Sequence, residues 1–234
     1  MISLIIPAYN EEALLAGTLR ALRAAADAAG VPYEIIVVDD GSTDRTAEIA
    51  RTEGARVVAV TLRNIGATRN AGARVAAGDL LVFVDADTLV PAEVLTGAMA
   101  AFGAGAVGGG AGVRQDSNDP SWGPVVFDLV SWLMRTARWA AGCFMFVRTD
   151  VFRRVGGFDE RYFASEEIHL SRALKKHGRF VILRARVITS GRKGRLFTPR
   201  QVFVQFASAL WPNNLKRRDR LGIWYGGERE KGGE

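Results

Sequence analysis

The sequence contains very little of the residue types that bind soft metals and carry redox chemistry. It has one cysteine and two histidines among its 234 residues. Cys143 alone permits neither an internal disulfide nor a cysteine-based zinc cluster, and its neighbours in "AAGCFMFV" predict a buried, unreactive thiol. We expect His169 and His177 to be structural or surface residues and not zinc ligands.

Long apolar segments are also absent. No apolar run reaches the roughly 18 residues that a membrane-spanning helix requires. Residues 1–8 have the pattern of a strand and not that of a basic leader with a cleavage site. We therefore expect a cytoplasmic protein and leave peripheral contact with the inner face of a membrane open. Hydrophobic residues make up 48% of the chain, enough for one domain with a sizeable core.

Acidic residues are in deficit. The chain has 31 lysines and arginines against 25 aspartates and glutamates, a net charge of +6. The excess lies between Lys175 and Arg220, in "KKHGR", "GRKGRL" and "NLKRRDR". Such a segment is either a solvated basic surface or a binding region for an anion such as a diphosphate or an anionic lipid. No nucleic-acid-binding motif accompanies it, so we do not expect nucleic acid as a partner.

The glycine-rich phosphate loops of common nucleotide-binding proteins are missing. The chain has no G-x-x-x-x-G-K-[ST] motif, and "PAYNEE" stands where a dinucleotide-binding domain carries its G-x-G-x-x-G. These absences argue against P-loop and NAD-linked chemistry. A nucleotide bound by this chain must be held by side chains and a metal ion instead.

The first half of the chain does show strands and helices in alternation. Strand patterns lie in "ISLIIPAY", "EIIVVDD", "ARVVAVTL" and "DLLVFVDAD", and the helical patterns between them end at glycines. Four such alternations predict a parallel α/β sheet. The continuous apolar runs "IIVV" and "LLVFV" predict strands that are covered on both faces. Ser42 or Thr43 is the predicted cap of the helix after the second strand.

Polar residues follow three of these strands. Residues 9–11 follow the first strand, Asp39 and Asp40 end the second, and Asp85 and Asp87 follow the fourth. Ligands of open α/β sheets bind outside the carboxyl ends of the strands. The sequence therefore predicts one polar crevice at this edge of the sheet.

The pair Asp85 and Asp87 points to a divalent cation. Alternate residues of an extended segment face the same side, so the two carboxylates repel each other unless a cation lies between them. Mg²⁺ and Mn²⁺ prefer oxygen ligands and take one or two carboxylates together with substrate phosphates. A plain turn stabilised by aspartate side chains is the alternative interpretation.

Five motifs in order resemble one family. They are "SLIIPAYNEE", "EIIVVDDGSTDRTAEIA", "NIGATRNAGARVAAGDLLVFVDADT", "GCFMFVRTDVFRRVGGFDE" and "ASEEIHLSRALKKHGR". Together they are similar to family 2 glycosyltransferases with the GT-A fold, in the small, stand-alone bacterial form without membrane helices. The resemblance covers about residues 1–190.

The resemblance implies an α/β architecture of GT-A type. We expect a single Rossmann-like domain over residues 1–197, with a mostly parallel central sheet flanked by helices. Residues 1–90 would form its nucleotide-binding half and 91–197 its acceptor half. A helical extension and charged tail would occupy residues 198–234. That extension is expected to pack back onto the domain, and a dimer contact or an interfacial membrane element is the alternative.

The resemblance also implies roles for individual residues. Asp85 is expected to reach the donor ribose or the metal, and Asp87 to bind the Mn²⁺ or Mg²⁺ that bridges the donor phosphates. The residues expected to line the nucleotide pocket are Pro7, Ala8, Tyr9, Glu11, Asp40, Arg69 and Asp85. Among them, Tyr9 is expected against the base or ribose, and Asp40 at the edge of the base.

The acids of "ASEEIHL" are the predicted source of the general base. The family often has Glu-Asp here, with the aspartate as base. This chain has Glu166 and Glu167, so Glu167 is the expected base and Glu166 its support. Without the resemblance, the same acids after Ser165 would simply favour the start of a helix, whose dipole they complement.

Further residues are expected around the donor and the acceptor. Gly142 would lie beside the donor sugar, and Trp139 would stack on a sugar or belong to the core. Arg192, Lys193 and Arg195 would either close over the diphosphate or form a plain basic surface loop.

The function predicted from these residues is metal-dependent, inverting glycosyl transfer. A UDP- or GDP-sugar is the donor, and the acceptor hydroxyl belongs to a saccharide, a lipid phosphate or a small metabolite. An inactive nucleotide-sugar-binding module is the main alternative. A sugar-phosphate nucleotidyltransferase is disfavoured, because "PAYNEE" is not the glycine-rich basic loop that such enzymes need. A homodimer is left open.

Overall fold

The computed structural model describes residues 1–116, 136 and 139–191. The predicted C-terminal extension at 198–234 and the basic loop at 192–197 lie outside these residues. The strands are β1 (Ile2–Ala8), β2 (Tyr33–Asp39), β3 (Arg56–Ala59), β4 (Leu80–Val84), β5 (Thr88–Leu89), β6 (Gly108–Gln115), β7 (Phe144–Arg148) and β8 (Phe180–Thr189). The helices are α1 (Leu15–Ala29), α2 (Thr46–Thr52), α3 (Ile65–Val75), α4 (Ala92–Gly103), α5 (Thr149–Val155) and α6 (Glu166–Lys175).

The described strands form one sheet in the order β3-β2-β1-β4-β7-β6-β8-β5. The first four of these strands pair in parallel, as predicted. Antiparallel pairing begins where β7 joins β4 and continues between β7 and β6. In the second half of the chain, β6 and β8 pair in parallel and β8 and β5 pair antiparallel. The predicted α/β sheet flanked by helices is confirmed.

Both faces of the central parallel strands β1 and β4 are buried. All residues of β1 and β4 are buried, and alternate side chains enter two separate cores. Leu4 and Val82 pack in the core that contains α1 and α4. Ile5 and Phe83 pack in the core that contains α3, α5 and α6. Burial on both faces explains why these strands are apolar at every position.

Helix α2 begins later than the sequence pattern predicted. Ser42 and Thr43 do not cap it, because both bind Asn10 of the loop after β1. The Asn10 amide donates to Ser42 Oγ at 3.0 Å, and the Thr43 amide donates to Asn10 Oδ1 at 2.8 Å. Asp44 Oδ1 instead accepts the amide of Thr46 at 2.9 Å. The loops after β1 and β2 are thus bonded to each other at the edge where the ligand crevice was predicted.

None of the helices in the described ranges is long and apolar enough to cross a membrane.

Helix α3 lies unusually close to the sheet, at Gly72. A Cβ atom at Gly72 would overlap Ile5 Cγ2 and lie 2.9 Å from Val38 Cγ2. Both side chains belong to fully buried positions of β1 and β2. The close approach fixes the height of α3 above the strand ends, and α3 carries Arg69.

We predict opposite effects of alanine at two helical glycines. Gly72→Ala forces α3 away from β1 and is expected to destabilise the protein by about 1–3 kcal/mol through overpacking. Gly17→Ala in α1 meets nothing within 4 Å and is expected to stabilise it by about 0.5–1 kcal/mol through helix propensity. Urea unfolding of both variants measures the difference. Equal stability of the two variants would contradict the close packing of α3.

Candidate active site

The carboxyl ends of β1, β2 and β4 lie side by side, because these strands are parallel neighbours. Ala8 is paired with Asp39 across β1 and β2. Tyr9, Asp40 and Asp85 therefore emerge at one edge, as the sequence predicted. Pro7 and Ala8 are the last two residues of β1 and are buried. Glu11 is also buried, and its amide donates to Thr46 Oγ1 at 2.8 Å.

Asp40 is occupied by contacts within the protein. Its Oδ1 accepts the amides of Leu62 at 2.6 Å and Arg63 at 3.0 Å. Its Oδ2 accepts the hydroxyl of Thr68 at 3.1 Å. The carboxylate thus holds the loop between β3 and α3. The contact with a nucleobase that the resemblance implies for Asp40 stays a prediction.

Arg69 joins the parts of the site that the sequence identified separately. Its side chain is 2% exposed. Its Nη1 donates to Glu166 Oε1 at 2.6 Å, and its Nη2 donates to Asp85 Oδ1 and to the Gly142 carbonyl, both at 2.8 Å. Arg69 was expected to line the nucleotide pocket. It lies beneath the strand ends and connects the aspartate motif to the acid pair.

The charges around Arg69 keep it ionised. Burial alone would lower the pKa of the guanidinium, but the nearby carboxylates of Asp85, Glu166 and Glu167 raise it above its usual range. Its Nε has no hydrogen-bond partner within the described residues. A buried cation that contacts two acids is required by both, since removing it leaves their charges uncompensated.

Asp85 and Asp87 follow β4 in a turn that the chain fixes from several sides. The Asp85 amide donates to the Cys143 carbonyl at 3.2 Å, and the Asp87 carbonyl accepts the amide of Ser190 at 3.1 Å. Asp85 is 28% exposed, and Asp87 is also partly exposed. The Thr88 hydroxyl donates to Asp87 Oδ1 at 3.5 Å.

This turn fits a divalent cation that is shared with a ligand. Over the described ranges, no group of three or more acidic, histidine or cysteine side chains is arranged to hold a metal by itself. Two partly exposed carboxylates are the set that Mg²⁺ or Mn²⁺ uses when phosphate oxygens and water complete its shell. Asp85 and Asp87 are the residues that would hold it.

Glu166 and Glu167 begin helix α6, directly after Ser165. Ser165 has φ 61° and its side chain does not cap the helix. Glu166 is buried against Arg69. Glu167 lies beside Gly142, where a Cβ would stand 3.5 Å from both Glu167 Oε1 and Arg69 Nη2. The glycine leaves this space open next to the acid.

The two acids share a poorly solvated environment. Burial raises the pKa of Glu167 to about 8, and the neighbouring charge of Glu166 adds to the shift, while Arg69 opposes it. Burial also raises the pKa of Glu166, again against the effect of Arg69. Acids with a raised pKa in a cleft are typical of groups that exchange protons with a substrate.

Two asparagines that sequence reasoning missed hold the segment before α6. Asn64 Nδ2 donates to the carbonyls of Glu160 and Tyr162 at 3.0 and 3.2 Å. Asn70 exchanges two hydrogen bonds of 2.9 Å with the backbone of Phe158. Both asparagines are buried; Asn64 caps the start of α3 and Asn70 lies within it. The sequence signal that could have identified them is "NIGATRNAG", in which two amide side chains stand among the small residues of a buried helix.

The remaining predicted residues divide between described and undescribed parts of the chain. Trp139 lies beside α6, with its ring 5.0 Å from Cζ of Arg172, and its contact with a sugar stays a prediction. Cys143 is partly buried and not fully buried as expected. Desolvation, with the charges of Asp85 and Asp87, raises the pKa of its thiol. Arg192, Lys193 and Arg195 lie outside the described residues.

Comparison with known sequences identifies the motifs as those of one family. Residues 3–158, more than half of the chain, match a sequence model described as "Glycosyl transferase family 2". The undecaprenyl-phosphate 4-deoxy-4-formamido-L-arabinose transferase of Edwardsiella ictaluri (strain 93-146) is 51% identical over 70 residues. The enzyme of that name from Pseudomonas aeruginosa (strain LESB58) is 49% identical over 71 residues. Each match covers 28% of this chain and about a fifth of the relative, 22% and 21%.

Solved structures agree with the fold. The mannosyltransferase PcManGT from Pyrobaculum calidifontis, in complex with GDP-Man and Mn²⁺, matches with a TM-score of 0.68 and 21% identity. That match covers 88% of this chain and 60% of PcManGT. Residues 1–349 of S. aureus TarS, in complex with UDP-GlcNAc, match with a TM-score of 0.63 and 21% identity, over 82% of this chain and 58% of TarS. The GT-A fold predicted from the motifs is confirmed.

We predict that loss of Arg69 destabilises the whole protein. Arg69→Ala leaves Asp85 and Glu166 without their shared cation and should cost about 3–5 kcal/mol. Arg20→Ala is the matched control, because Arg20 forms an ion pair with Glu53 at the surface and is 72% exposed. Its loss should change stability little, because water screens an exposed ion pair. Chemical denaturation at neutral pH measures both, and similar losses would contradict a structural role of the buried pair.

Proposed function

The chain belongs to glycosyl transferase family 2 and is a glycosyltransferase, and from this premise we propose a metal-dependent, inverting transfer. The sugar moves from a UDP- or GDP-linked donor to an acceptor hydroxyl. Asp85 and Asp87 hold the Mn²⁺ or Mg²⁺, and Glu167 is the general base. Asp40 and residues 7–11 line the nucleotide side of the crevice.

One observation carries this proposal, namely the contact of Arg69 with both Asp85 and Glu166. A single guanidinium binds the first aspartate of the metal motif at 2.8 Å and the acid pair at 2.6 Å. The group that would anchor the donor phosphates and the group that would activate the acceptor are therefore held at a fixed separation. Fixed positioning of donor and acceptor is a main contribution to transfer catalysis.

In the proposed reaction one bond to the anomeric carbon forms as another breaks, and Glu167 takes up the acceptor proton. The acceptor oxygen forms a bond to the anomeric carbon while the bond from that carbon to the diphosphate oxygen breaks. The acceptor proton passes to the Glu167 carboxylate. A bound cation would neutralise charge on the departing diphosphate. We propose that Arg192, Lys193 and Arg195, which follow β8 in the sequence, support the diphosphate, and that Gly142 and Trp139 adjoin the sugars.

The relatives point to a lipid phosphate as a second class of acceptor. The curated relatives are named undecaprenyl-phosphate 4-deoxy-4-formamido-L-arabinose transferases, so a polyprenyl phosphate is the alternative acceptor. A phosphate monoester has its second pKa near 6 and already carries the attacking oxyanion at neutral pH. Such an acceptor would not require a base. The importance of Glu167 therefore distinguishes the two acceptor classes.

The pH dependence of transfer tests Glu167 as the base. Because burial raises its pKa to about 8, only about a tenth of the free enzyme carries the carboxylate at pH 7. For a hydroxyl acceptor, kcat/KM should rise with pH up to about 8 and then level off. Glu167→Gln should lower kcat at least 100-fold, and exposed Glu48→Gln should have no effect. With a phosphate acceptor, Glu167→Gln should retain most activity.

The same substitution should stabilise the protein at alkaline pH. The pKa of Glu167 is raised from 4.5 to about 8 on folding, so the folded state binds more protons than the unfolded state between these values. Its contribution to stability is present below about pH 4.5 and is lost as the pH rises through 8. We expect Glu167→Gln to raise the melting temperature more at pH 8.5 than at pH 6. An equal change at both pH values would contradict the raised pKa of Glu167.

Nucleotide titration tests the metal site directly. UDP and GDP are titrated by calorimetry with and without Mn²⁺. We expect one nucleotide to bind at least tenfold more tightly with Mn²⁺, and Asp87→Ala to abolish that gain because it removes a carboxylate ligand. Asp79→Ala is the control, since Asp79 is an exposed acid at the opposite end of β4. Metal-independent binding would make residues 85–87 a structural turn.

A further inference from the structure

An arginine that the sequence motifs did not indicate covers Tyr9. Cζ of Arg63 lies 3.7 Å from the centroid of the Tyr9 ring. This is the distance of a guanidinium that stacks on an aromatic face. Tyr9 was expected to contact the base or ribose of the donor, so Arg63 stands where that contact was predicted.

The backbone at Arg63 is held in an unfavourable conformation. Its φ is 50°, in the left-handed region that residues with a Cβ avoid. Asp40 stabilises this conformation by accepting the amides of Leu62 and Arg63. Arg63 Nη2 also donates to the Gly41 carbonyl at 3.3 Å. A non-glycine residue that is fixed in this region by several contacts is an indication of function.

These contacts place the guanidinium across two strand ends. Tyr9 follows β1 and Gly41 follows β2, and these strands are parallel neighbours. Arg63 itself is only partly buried. A guanidinium is planar and stacks on aromatic rings through its faces, and arginine and aromatic side chains are the usual stacking surfaces for nucleobases. The position is therefore suited to hold a base above the first two strands.

We propose that Arg63 forms the stacking surface for the nucleobase of the donor and that Asp40 is the positioning residue that holds Arg63 on Tyr9. The assignment rests on the proposed use of a nucleotide sugar. It differs from the expectation that Asp40 reads the edge of the base, because the observed contacts of Asp40 are with the loop that carries Arg63. In the alternative arrangement the nucleobase displaces Arg63 and stacks on Tyr9 itself. Removal of the Arg63 side chain would then leave nucleotide affinity unchanged or raise it, whereas our assignment predicts a loss.

Calorimetric titration of the full chain with UDP, GDP and inorganic pyrophosphate, all with Mn²⁺, tests the assignment. Arg63→Ala should weaken binding of the preferred nucleotide by about 5- to 150-fold, the range for one lost stacking contact. Arg63→Lys keeps the positive charge but not the planar group, so it should bind the nucleotide as weakly as Arg63→Ala. Asp40→Asn should also weaken nucleotide binding, because it loosens the loop that carries Arg63. Pyrophosphate has no base, so its affinity should change less than twofold in all three variants.

Two controls separate stacking from strain and from net charge. Arg63→Gly removes the side chain and favours a φ of 50°, so it should fold at least as stably as Arg63→Ala and bind the nucleotide equally weakly. Arg51→Ala removes one positive charge from the exposed surface of α2 and should leave nucleotide affinity unchanged. We therefore expect nucleotide affinity to fall in every variant that lacks the planar guanidinium of Arg63, and pyrophosphate affinity to stay unchanged.

Three results would overturn the assignment. Unchanged or tighter nucleotide binding by Arg63→Ala and Arg63→Gly would mean that the base displaces Arg63. An equal loss for pyrophosphate would make Arg63 a phosphate ligand. Failure of the unaltered chain to bind any nucleotide would overturn the proposed function together with the assignment, whereas nucleotide binding that ignores Arg63 would overturn the assignment alone.

Discussion

The buried guanidinium of Arg69 is the interaction on which the site depends. It contacts Asp85 after β4, the Gly142 carbonyl before β7 and Glu166 at the start of α6. Each of these elements brings negative charge or a carbonyl dipole to one place, and such a place is unstable without a cation. Arg69 thereby keeps the two acidic motifs at a fixed distance. Asp87 and Glu167, the neighbours of its two acidic partners, are the residues that we propose act on the substrates.

Helix α3 is the element that makes this arrangement rigid. Gly72 lets it approach β1 and β2, Arg69 binds the acids, and Asn64 and Asn70 hold the segment that leads into α6. Packing and positioning are thus two consequences of one helix. A shift of α3 would move the acid pair as well as the loop that carries Arg63, because Asp40 binds both that loop and Thr68 of the helix.

The acid pair illustrates how the site uses unfavourable electrostatics. Two glutamates in a poorly solvated place repel each other, and their burial raises the pKa of Glu167 to about 8. The same shift makes the carboxylate a stronger base once it is formed and lowers the stability of the fold at alkaline pH. Similar strain is present at Arg63 and Ser165, whose φ values are 50° and 61°. Active sites commonly retain such features because the surrounding structure holds them in place.

The sequence by itself determined the α/β alternation, the polar strand ends, the Asp85–Asp87 pair and the acids that begin α6. These features follow from periodicity, turn residues and motifs, which are properties of neighbouring residues. The tertiary structure alone decided what the charged side chains contact. Arg69 meets partners that are 16, 73 and 97 residues away, and Arg63 meets Tyr9 across two strand ends. The packing of α3 on the sheet sets these distances, and no local pattern contains that information.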